Sequence, residues 1–402
     1  MTETLPAPWQ RAATGANLLG SDGTLGVTIF EEMTTLAVRT GAINLGQGFP
    51  DEDGPAEIKA AAQEAIAQGS NQYAPGKGIP ELRHAISAHQ QRFYGLAPDP
   101  DTEVIVTTGA TEAIAASLMA FVGPGDEVLT FEPFYDSYGA IIGLSGATHV
   151  TAPLLAPDFM PDLAALEEAF SPRTRVVLIN NPHNPTGAVF PAEVLQRVVD
   201  LARQHDALII TDEVYEHLTF GVRHIPVATL PGAAGRTVTI SSAGKTFSFT
   251  GWKVGWLSGP EDLVSAVRTV KQFLTYSSGT PFQSAIATGL GLPDTFYEDI
   301  AVTLGKKRDI LSDGLRAAGL DVFTPQGTYF INVDTSPLGI SDSVELARRL
   351  PALVGVAAIP VPVFCHADGA ERTKSLLRFA FCKQTAVLEE AATRLATLRD
   401  KL

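Results

Sequence analysis

Seven short runs rich in β-branched residues constrain the fold of this 402-residue chain more than any other feature. Helical patterns separate several of these runs, and this alternation predicts an α/β fold with a mostly parallel sheet that helices cover on both faces. In such sheets ligands bind beyond the carboxyl ends of the strands, so we expect functional residues directly after the runs. The predicted strands span residues 103–107, 127–131, 148–152, 175–180, 207–211, 237–241 and 253–258.

The composition limits the class of protein and of partner. Hydrophobic residues make up 45% of the chain and charged residues 18%, which is typical of a compact enzyme. The net charge of −15 argues against a nucleic-acid partner, which is bound through clustered Lys and Arg. Cys365 and Cys382 show neither a disulfide framework nor zinc-ligand spacing, so we expect no metal and a reducing cytoplasm. Residues 1–11 show no export signal, and no apolar stretch approaches the ~20 residues of a membrane span.

One lysine stands among small residues directly after the sixth predicted strand, in the segment Ser241-Ser242-Ala243-Gly244-Lys245-Thr246. A bulky planar ligand can approach such a lysine, and partial burial lowers the pKa of the amine, which makes it nucleophilic at neutral pH. Imine formation with a carbonyl cofactor such as pyridoxal phosphate suits this chemistry. A nucleotide-binding loop would need glycine at position 239, where the chain has Thr239. An ordinary surface lysine is the other alternative.

Three further motifs follow predicted strands: Thr108-Gly109-Ala110-Thr111, Asn180-Asn181-Pro182-His183-Asn184-Pro185-Thr186-Gly187 and Asp212-Glu213-Val214-Tyr215. Together with the lysine segment they resemble the class I and II aminotransferases, which are pyridoxal-phosphate enzymes of fold type I. Six motifs occur in the order of that family, between about residues 44 and 382. The resemblance implies a large domain built on seven strands, a smaller α+β domain and pyridoxal 5′-phosphate as cofactor. It also implies that Lys245 forms the imine and, once released, acts as general base.

The resemblance assigns to the cofactor phosphate Gly109, Ala110, Thr111, Ser242, Lys253 and Tyr73. The first three open a predicted helix, whose unpaired N–H groups and partial positive charge suit an anion. Plain helix capping is the alternative for this segment. Tyr73 corresponds to a tyrosine that reaches the phosphate of the neighbouring subunit, and a buried structural tyrosine is its alternative.

Four residues are assigned by the resemblance to the cofactor ring: Tyr135, Asn184, Asp212 and Tyr215. Tyr135 is expected to stack on the ring, with Phe134 as the second choice, although aromatic residues after a strand are often core. Asn184 and Tyr215 are expected to bond the ring oxygen. A carboxylate at the end of an apolar strand needs a cation, so Asp212 is expected to face the protonated ring nitrogen. A helix cap is the alternative for Asp212.

Arg378 lies inside the apolar run of residues 376–382 and is expected to bind the substrate α-carboxylate, which its planar fork matches. A structural salt bridge is the alternative. The resemblance places the substrate beside Gly48, where a simple turn is the alternative, and beside Asn180 and Asn184. It places Phe30 at the mouth of the pocket.

The order of the motifs predicts three parts of the chain. We expect an N-terminal arm and part of the small domain in residues 1–47, a large cofactor-binding domain in 48–295 and a small C-terminal domain in 296–402. Residues 1 to about 25 are rich in Pro, Gly and Ala, which predicts an arm and not a packed element. The resemblance also implies a homodimer with shared active sites.

Residues 44–55 and 212–218 are most similar to the bacterial N-succinyldiaminopimelate aminotransferases of lysine synthesis. We therefore expect an α-amino group to move between that donor and a 2-oxo acid, with 2-oxoglutarate and glutamate as the second pair. One alternative is a kynurenine, glutamine or methionine aminotransferase with cysteine-conjugate β-lyase side activity. Another is a non-catalytic cofactor-binding sensor domain. A nicotinamide oxidoreductase is disfavoured because no G-x-G-x-x-G follows any predicted strand.

Overall fold

A computed structural model describes residues 6–20 and 22–402. Within them no helix is both long enough and apolar enough to cross a bilayer. The α-helices, α1 to α15 in chain order, span Pro8–Gly15, Ile29–Thr40, Ala56–Ala67, Pro80–Tyr94, Gly109–Phe121, Asp136–Ser145, Leu163–Glu168, Ala192–Gln204, Ala243–Thr246, Glu261–Lys271, Thr280–Leu290, Asp294–Ala317, Ser343–Val354, Ala367–Arg372 and Thr385–Leu395.

The strands, β1 to β14 in chain order, span Ile43–Asn44, Val104–Thr108, Glu127–Glu132, Thr148–Leu155, Met160–Pro161, Thr174–Asn180, Leu208–Asp212, Thr237–Ser242, Val254–Ser258, Asp321–Phe323, Phe330–Asp334, Val356–Ala357, Ile359–Pro360 and Leu376–Ala380. They form a large sheet, a four-stranded antiparallel sheet in the order β10-β11-β14-β13, and a small parallel pair of β1 and β12.

The large sheet has the strand order β2-β9-β8-β7-β6-β3-β4-β5. Strands β8, β7, β6, β3 and β4 are parallel neighbours, whereas β9 runs antiparallel to both β2 and β8. All seven predicted strands are present, and the prediction of a mostly parallel sheet is confirmed. The eighth strand, β5, has only two residues and was not predicted, because so short a segment has no pattern of its own.

Both faces of the large sheet are buried, as strand β6 shows. Val176 and Leu178 pack in one apolar cluster with residues of α5 and α10, whereas Val177 and Ile179 pack in another with residues of α8. Successive side chains of a strand point to opposite faces, so a strand between two helical layers needs an unbroken apolar run. This requirement explains why the centre of β6, residues 176–179, is continuously apolar.

A separate apolar cluster surrounds the four-stranded antiparallel sheet and includes residues of α2, α12, α13 and α15. Residues from both the beginning and the end of the chain therefore share one core, as expected if the N-terminal segment contributes to the small domain. The division of the chain after residues 47 and 295 stays a prediction.

The prediction of an unpacked N-terminal arm is wrong for residues 8–15. They form α1, whose backbone lies directly against α6, with Arg11 Nε donating to the carbonyl of Gly143 at 3.0 Å. A Cβ atom on Gly15 would lie 2.0 Å from the Gly139 oxygen, so small residues on both helices permit this close approach. The small residues that suggested an arm instead allow α1 to pack closely on α6. Residues 1–5 of the predicted arm lie outside the described residues.

Candidate active site

Fourteen of the fifteen predicted site residues line one cavity of about 300 Å³ at the carboxyl edge of the large sheet. This volume lies at the lower end of the range for small-molecule sites. The fourteen residues are Phe30, Gly48, Gly109, Ala110, Thr111, Tyr135, Asn180, Asn184, Asp212, Tyr215, Ser242, Lys245, Lys253 and Arg378. The fifteenth, Tyr73, is 84% exposed outside the cavity, where its ring meets that of Tyr276. It is not the buried structural tyrosine of the alternative.

Strand ends bring these residues together. Asn180, Asp212 and Ser242 are the last residues of β6, β7 and β8, which are parallel neighbours. Parallel strands end at the same edge, so residues that are 30 or more positions apart in sequence meet there. Tyr135 follows the neighbouring strand β3, and Gly109 follows the edge strand β2.

Lys245 lies in the one-turn helix α9, between the small residues Gly244 and Thr246. Its Nζ donates to the hydroxyl of Tyr329 at 2.8 Å. Burial lowers the pKa of the Lys245 amine to about 8, although the nearby carboxyl of Asp212 opposes this shift. Cys382 also lies near, but burial raises the pKa of its thiol to about 11, so the thiol stays neutral where the lysine titrates. A substantial fraction of the amine is therefore neutral near pH 8.

Asp212 is a buried carboxylate for which the described chain offers no salt-bridge partner. The Tyr138 hydroxyl donates to its Oδ2 at 2.6 Å. Burial raises the pKa of Asp212 to about 6, and the Tyr138 hydrogen bond partly opposes the rise. An isolated buried carboxylate at a cavity wall suits a cationic ligand group. It is not a helix cap, since no α-helix begins at Asp212.

Aromatic residues form the walls around this carboxylate. The Tyr135 ring meets the Tyr138 ring edge to face, with 5.6 Å between centroids. The Tyr215 ring is buried and meets the Tyr329 ring at 5.4 Å. Burial raises the pKa values of Tyr135 and Tyr215, so both phenols remain protonated donors at neutral pH.

Another part of the cavity wall carries positive charge, from Lys253 and the start of α5. Helix α5 begins at Gly109, and the Lys253 Nζ lies 3.2 Å from the point that a Gly109 Cβ would occupy. Lys253 itself has φ of 54°, in the left-handed region that non-glycine residues seldom adopt. Glu112, and not Thr111, bonds the backbone N–H of Thr108, so capping does not occupy the Thr111 hydroxyl. A helix N-terminus beside a lysine suits an anion.

Arg378 lies in β14 with 1% of its surface exposed. Its Nη1 donates to Asn184 Oδ1 and its Nη2 to the carbonyl of Gly46, both at 3.0 Å. Its Nε has no partner, and no described carboxylate forms a salt bridge with it, which overturns the salt-bridge alternative. Burial lowers its pKa only to about 10, so the guanidinium stays charged. A buried, incompletely bonded guanidinium suits a carboxylate ligand.

The turn that contains Asn184 and the loop that contains Gly48 lie beside Arg378. The backbone N–H of Asn184 donates to Asn180 Oδ1 at 2.7 Å, and Asn180 Nδ2 donates to the Asp212 carbonyl at 2.8 Å. The Asn184–Pro185 peptide bond is cis. A Cβ atom on Gly48 would lie 2.6 Å from the Phe330 ring, so glycine permits close packing at this position.

Sequence reasoning missed Tyr138 and Tyr329, which bond the two central ionisable groups, and Phe330, whose ring lies 4.1 Å from the Arg378 guanidinium. Tyr138 had a usable signal, because it lies three positions after Tyr135 at the start of a helix, and this spacing places both on one face. Tyr329 and Phe330 had none, since their contacts depend on how β11 lies against the large sheet.

Comparisons with known proteins find relatives that span nearly the whole chain. A family model described as aminotransferase class I and II matches residues 40–395. A Mycobacterium tuberculosis protein described as probable N-succinyldiaminopimelate aminotransferase DapC is 49% identical over 384 residues, which cover 93% of this chain and 96% of that protein. The methionine aminotransferase of Escherichia coli is 42% identical over 375 residues, with coverages of 93% and 96%.

A solved structure shows the same architecture. The N-succinyldiaminopimelate aminotransferase from Mycobacterium tuberculosis matches with a TM-score of 0.90 and 50% identity, over 92% of this chain and 97% of that chain. The predicted fold type I is thereby confirmed. Since the family model and both relatives span nearly the whole chain, the protein belongs to the class I and II aminotransferase family.

Proposed function

We propose that this aminotransferase uses pyridoxal 5′-phosphate and moves the α-amino group of N-succinyl-L,L-diaminopimelate to 2-oxoglutarate. One observation carries the proposal of cofactor and reaction. Lys245, Asp212 and Arg378 line a single cavity, and none of them has a salt-bridge partner in the described chain. Two buried ionisable groups and a partly buried one, none with an oppositely charged partner, are costly for folding alone, so we infer that ligand groups complete them.

The residues present fit pyridoxal phosphate. The N-terminus of α5, Ser242 and Lys253 would hold the phosphate, and Asp212 would face the ring nitrogen. The carbonyl would meet the Lys245 amine, which near pH 8 is partly neutral and therefore nucleophilic. When bound, the cofactor supplies an electron sink that stabilises negative charge on the substrate Cα.

The side chains of the chain itself orient the substrate and move its proton. The Arg378 guanidinium binds the α-carboxylate, and Asn184, which already accepts from Arg378, fixes the plane of the fork. The released Lys245 Nζ takes the proton from Cα as general base. Phe30 and Phe330, which pack on Arg378, exclude water from that carboxylate and so strengthen its binding.

The donor is proposed from the relatives. N-succinyldiaminopimelate is the substrate in the names of a 49% identical protein and of a solved structure. Methionine is the second candidate donor, because a methionine aminotransferase is 42% identical over nearly the whole chain.

The test is the visible spectrum of protein loaded with pyridoxal phosphate, as N-succinyl-diaminopimelate, glutamate, kynurenine, methionine and glutamine are added singly. Loss of the visible band with release of the matching 2-oxo acid supports transamination, and the fastest donor identifies the substrate. A fastest reaction with methionine replaces the proposed donor with the second candidate. Pyruvate release without an acceptor marks a β-lyase, and a band that no donor changes marks a sensor domain. A loaded protein without any visible band would refute the cofactor.

We also propose a homodimer with shared sites in the cytoplasm. The exposed Tyr73, its neighbour Tyr276 at 48% exposure and Phe273 at 83% supply apolar surface for a second copy. Both cysteines are buried and free, as in a reducing compartment. Sedimentation of the active protein tests the dimer, and a fully active monomer would contradict it.

A further inference from the structure

Tyr329 lies directly before β11 and is 1% exposed. Its hydroxyl joins two segments that are distant in sequence. Lys245 Nζ lies 2.8 Å from the Tyr329 oxygen, and that oxygen lies 2.5 Å from the carbonyl oxygen of Gly48. The direct contact between Lys245 Nζ and the Gly48 carbonyl is longer, at 3.4 Å. The hydrogen bonds of the Tyr329 hydroxyl to Lys245 and to Gly48 are therefore both shorter than the direct contact between Lys245 and Gly48.

The direction of these hydrogen bonds follows from the chemistry of the groups. A phenol carries one proton, and a carbonyl oxygen only accepts, so the proton of Tyr329 goes to Gly48. The Tyr329 oxygen is then left as an acceptor, and a Lys245 N–H donates to it. Burial raises the pKa of the Tyr329 phenol well above its ordinary value, so the phenol keeps this proton at neutral pH.

The position of Tyr329 determines which side of Lys245 is occupied. Tyr329 and Lys245 both line a second cavity of about 230 Å³, and Lys245 alone of the two also lines the first. The N–H that Tyr329 accepts is thus drawn towards the second cavity, whose lining includes neither Asp212 nor Arg378. The rest of the tetrahedral nitrogen is directed to the first cavity, where the proposed reaction takes place.

We propose that Tyr329 is a positioning residue, which holds the free Lys245 amine through one N–H and ties it to the Gly48 backbone. The proposal rests on the proposed function, because transamination requires a released lysine that is oriented towards the substrate Cα. The second link joins Lys245 to a loop that borders the proposed substrate site, because Gly48 lines the first cavity.

A packing role for the Tyr329 ring alone is the competing explanation. Tyr329→Phe separates the two, because it removes only the hydroxyl. The matched control is Tyr297→Phe, since Tyr297 is also buried and its hydroxyl bonds only the carbonyls of Gly289 and Leu290. Both variants lose one buried phenol hydroxyl, and only the first loses a contact with Lys245.

The first measurement uses the cofactor-free full chain. Lys245 is acetylated with limiting acetic anhydride across a pH series, and mass spectrometry of its peptide gives the midpoint of the reaction. A hydrogen bond to a charged group is stronger than one to a neutral group by about 1 kcal/mol, so loss of the acceptor lowers the midpoint by roughly 0.5 to 1 pKa unit. Tyr297→Phe is expected to titrate as wild type. The other titratable groups around Lys245 remain in both variants: Asp212, Lys253, Arg378, Cys382 and Tyr215.

The second measurement is the half-reaction of the loaded protein. A misdirected amine slows proton transfer but does not alter carboxylate binding, so Tyr329→Phe should lower kcat about tenfold with little change in KM. An unchanged acetylation midpoint together with wild-type kcat would overturn the positioning role. The acetylation result needs no cofactor. If the acetylation midpoint shifts in Tyr329→Phe but the loaded wild-type protein transaminates no donor, the Tyr329 contact is supported and the proposed function is refuted.

Discussion

The hydrogen bond from Tyr138 to Asp212 is expected to control the charge of the central carboxylate. Both residues are buried, and the Tyr138 hydroxyl lies 2.6 Å from Asp212 Oδ2. Burial raises the pKa of Asp212 from its ordinary 3.8 to about 6, while this bond holds it down. Tyr138→Phe removes the bond and keeps the ring, so the variant should show a higher pKa for Asp212 in the cofactor-free protein.

The expected size of the effect follows from the geometry. A short bond to a carboxylate contributes about 1.5 to 3 kcal/mol and a bond to the neutral acid about 1, and the difference raises the pKa by roughly one unit. Because the pKa is raised on folding, the folded protein binds more protons than the unfolded chain between about pH 4 and pH 6. Stability therefore falls as pH rises through this window. In Tyr138→Phe the free energy of unfolding continues to fall over about one further pH unit, so its total loss is about 1.4 kcal/mol larger than in wild type.

The assay is an infrared pH titration of the cofactor-free protein. The band of the protonated Asp212 carboxyl is identified by its loss in Asp212→Asn, and its midpoint is compared between wild type and Tyr138→Phe. Tyr297→Phe, whose hydroxyl bonds only backbone carbonyls, is the control and should leave the midpoint in place. A Tyr138→Phe midpoint equal to or below that of wild type would refute the reasoning.

Two further substitutions test the proposed carboxylate site at Arg378 and the proposed phosphate site at the start of α5. Arg378→Lys replaces a planar fork by a point charge, so KM for the amino donor should rise about 10- to 100-fold while kcat changes less, as half-reaction titrations would show. An unchanged KM would contradict the carboxylate role. Gly255→Ala places a Cβ 2.5 Å from the Gly109 carbonyl carbon and 2.7 Å from the Ala110 nitrogen, both backbone atoms. It should displace the start of α5 and weaken pyridoxal-phosphate binding at least about tenfold in equilibrium dialysis. Gly251→Ala adds its Cβ in open space and should bind as wild type, so equal affinities would speak against a phosphate site at α5.

Much of the fold and of the candidate site is readable from the sequence. The unbroken apolar run of β6 and the alternation around it predict a sheet buried on both faces, because strand and helix periods are local properties of the chain. Parallel strands end at one edge of a sheet. Polar residues at the ends of predicted strands, such as Asn180 and Asp212, could therefore be assigned to one site from the sequence. The resemblance of the motifs then named the reaction and the cofactor.

Other features depend on contacts between distant parts of the chain. The composition of residues 8–15 suggested an arm, but their small residues instead permit close packing on α6. Whether Arg378 had a structural salt bridge could be decided only by seeing every group around it.

Local pattern and strand order are enough to predict the large sheet, the edge at which the site forms and most of the side chains that line it. How the ionisable groups are held depends instead on contacts between distant parts of the fold. Tyr138 reaches Asp212 across 74 positions, and Tyr329 reaches Lys245 across 84. A pKa depends on burial and on neighbours from every packed element, and no local pattern in the sequence records these.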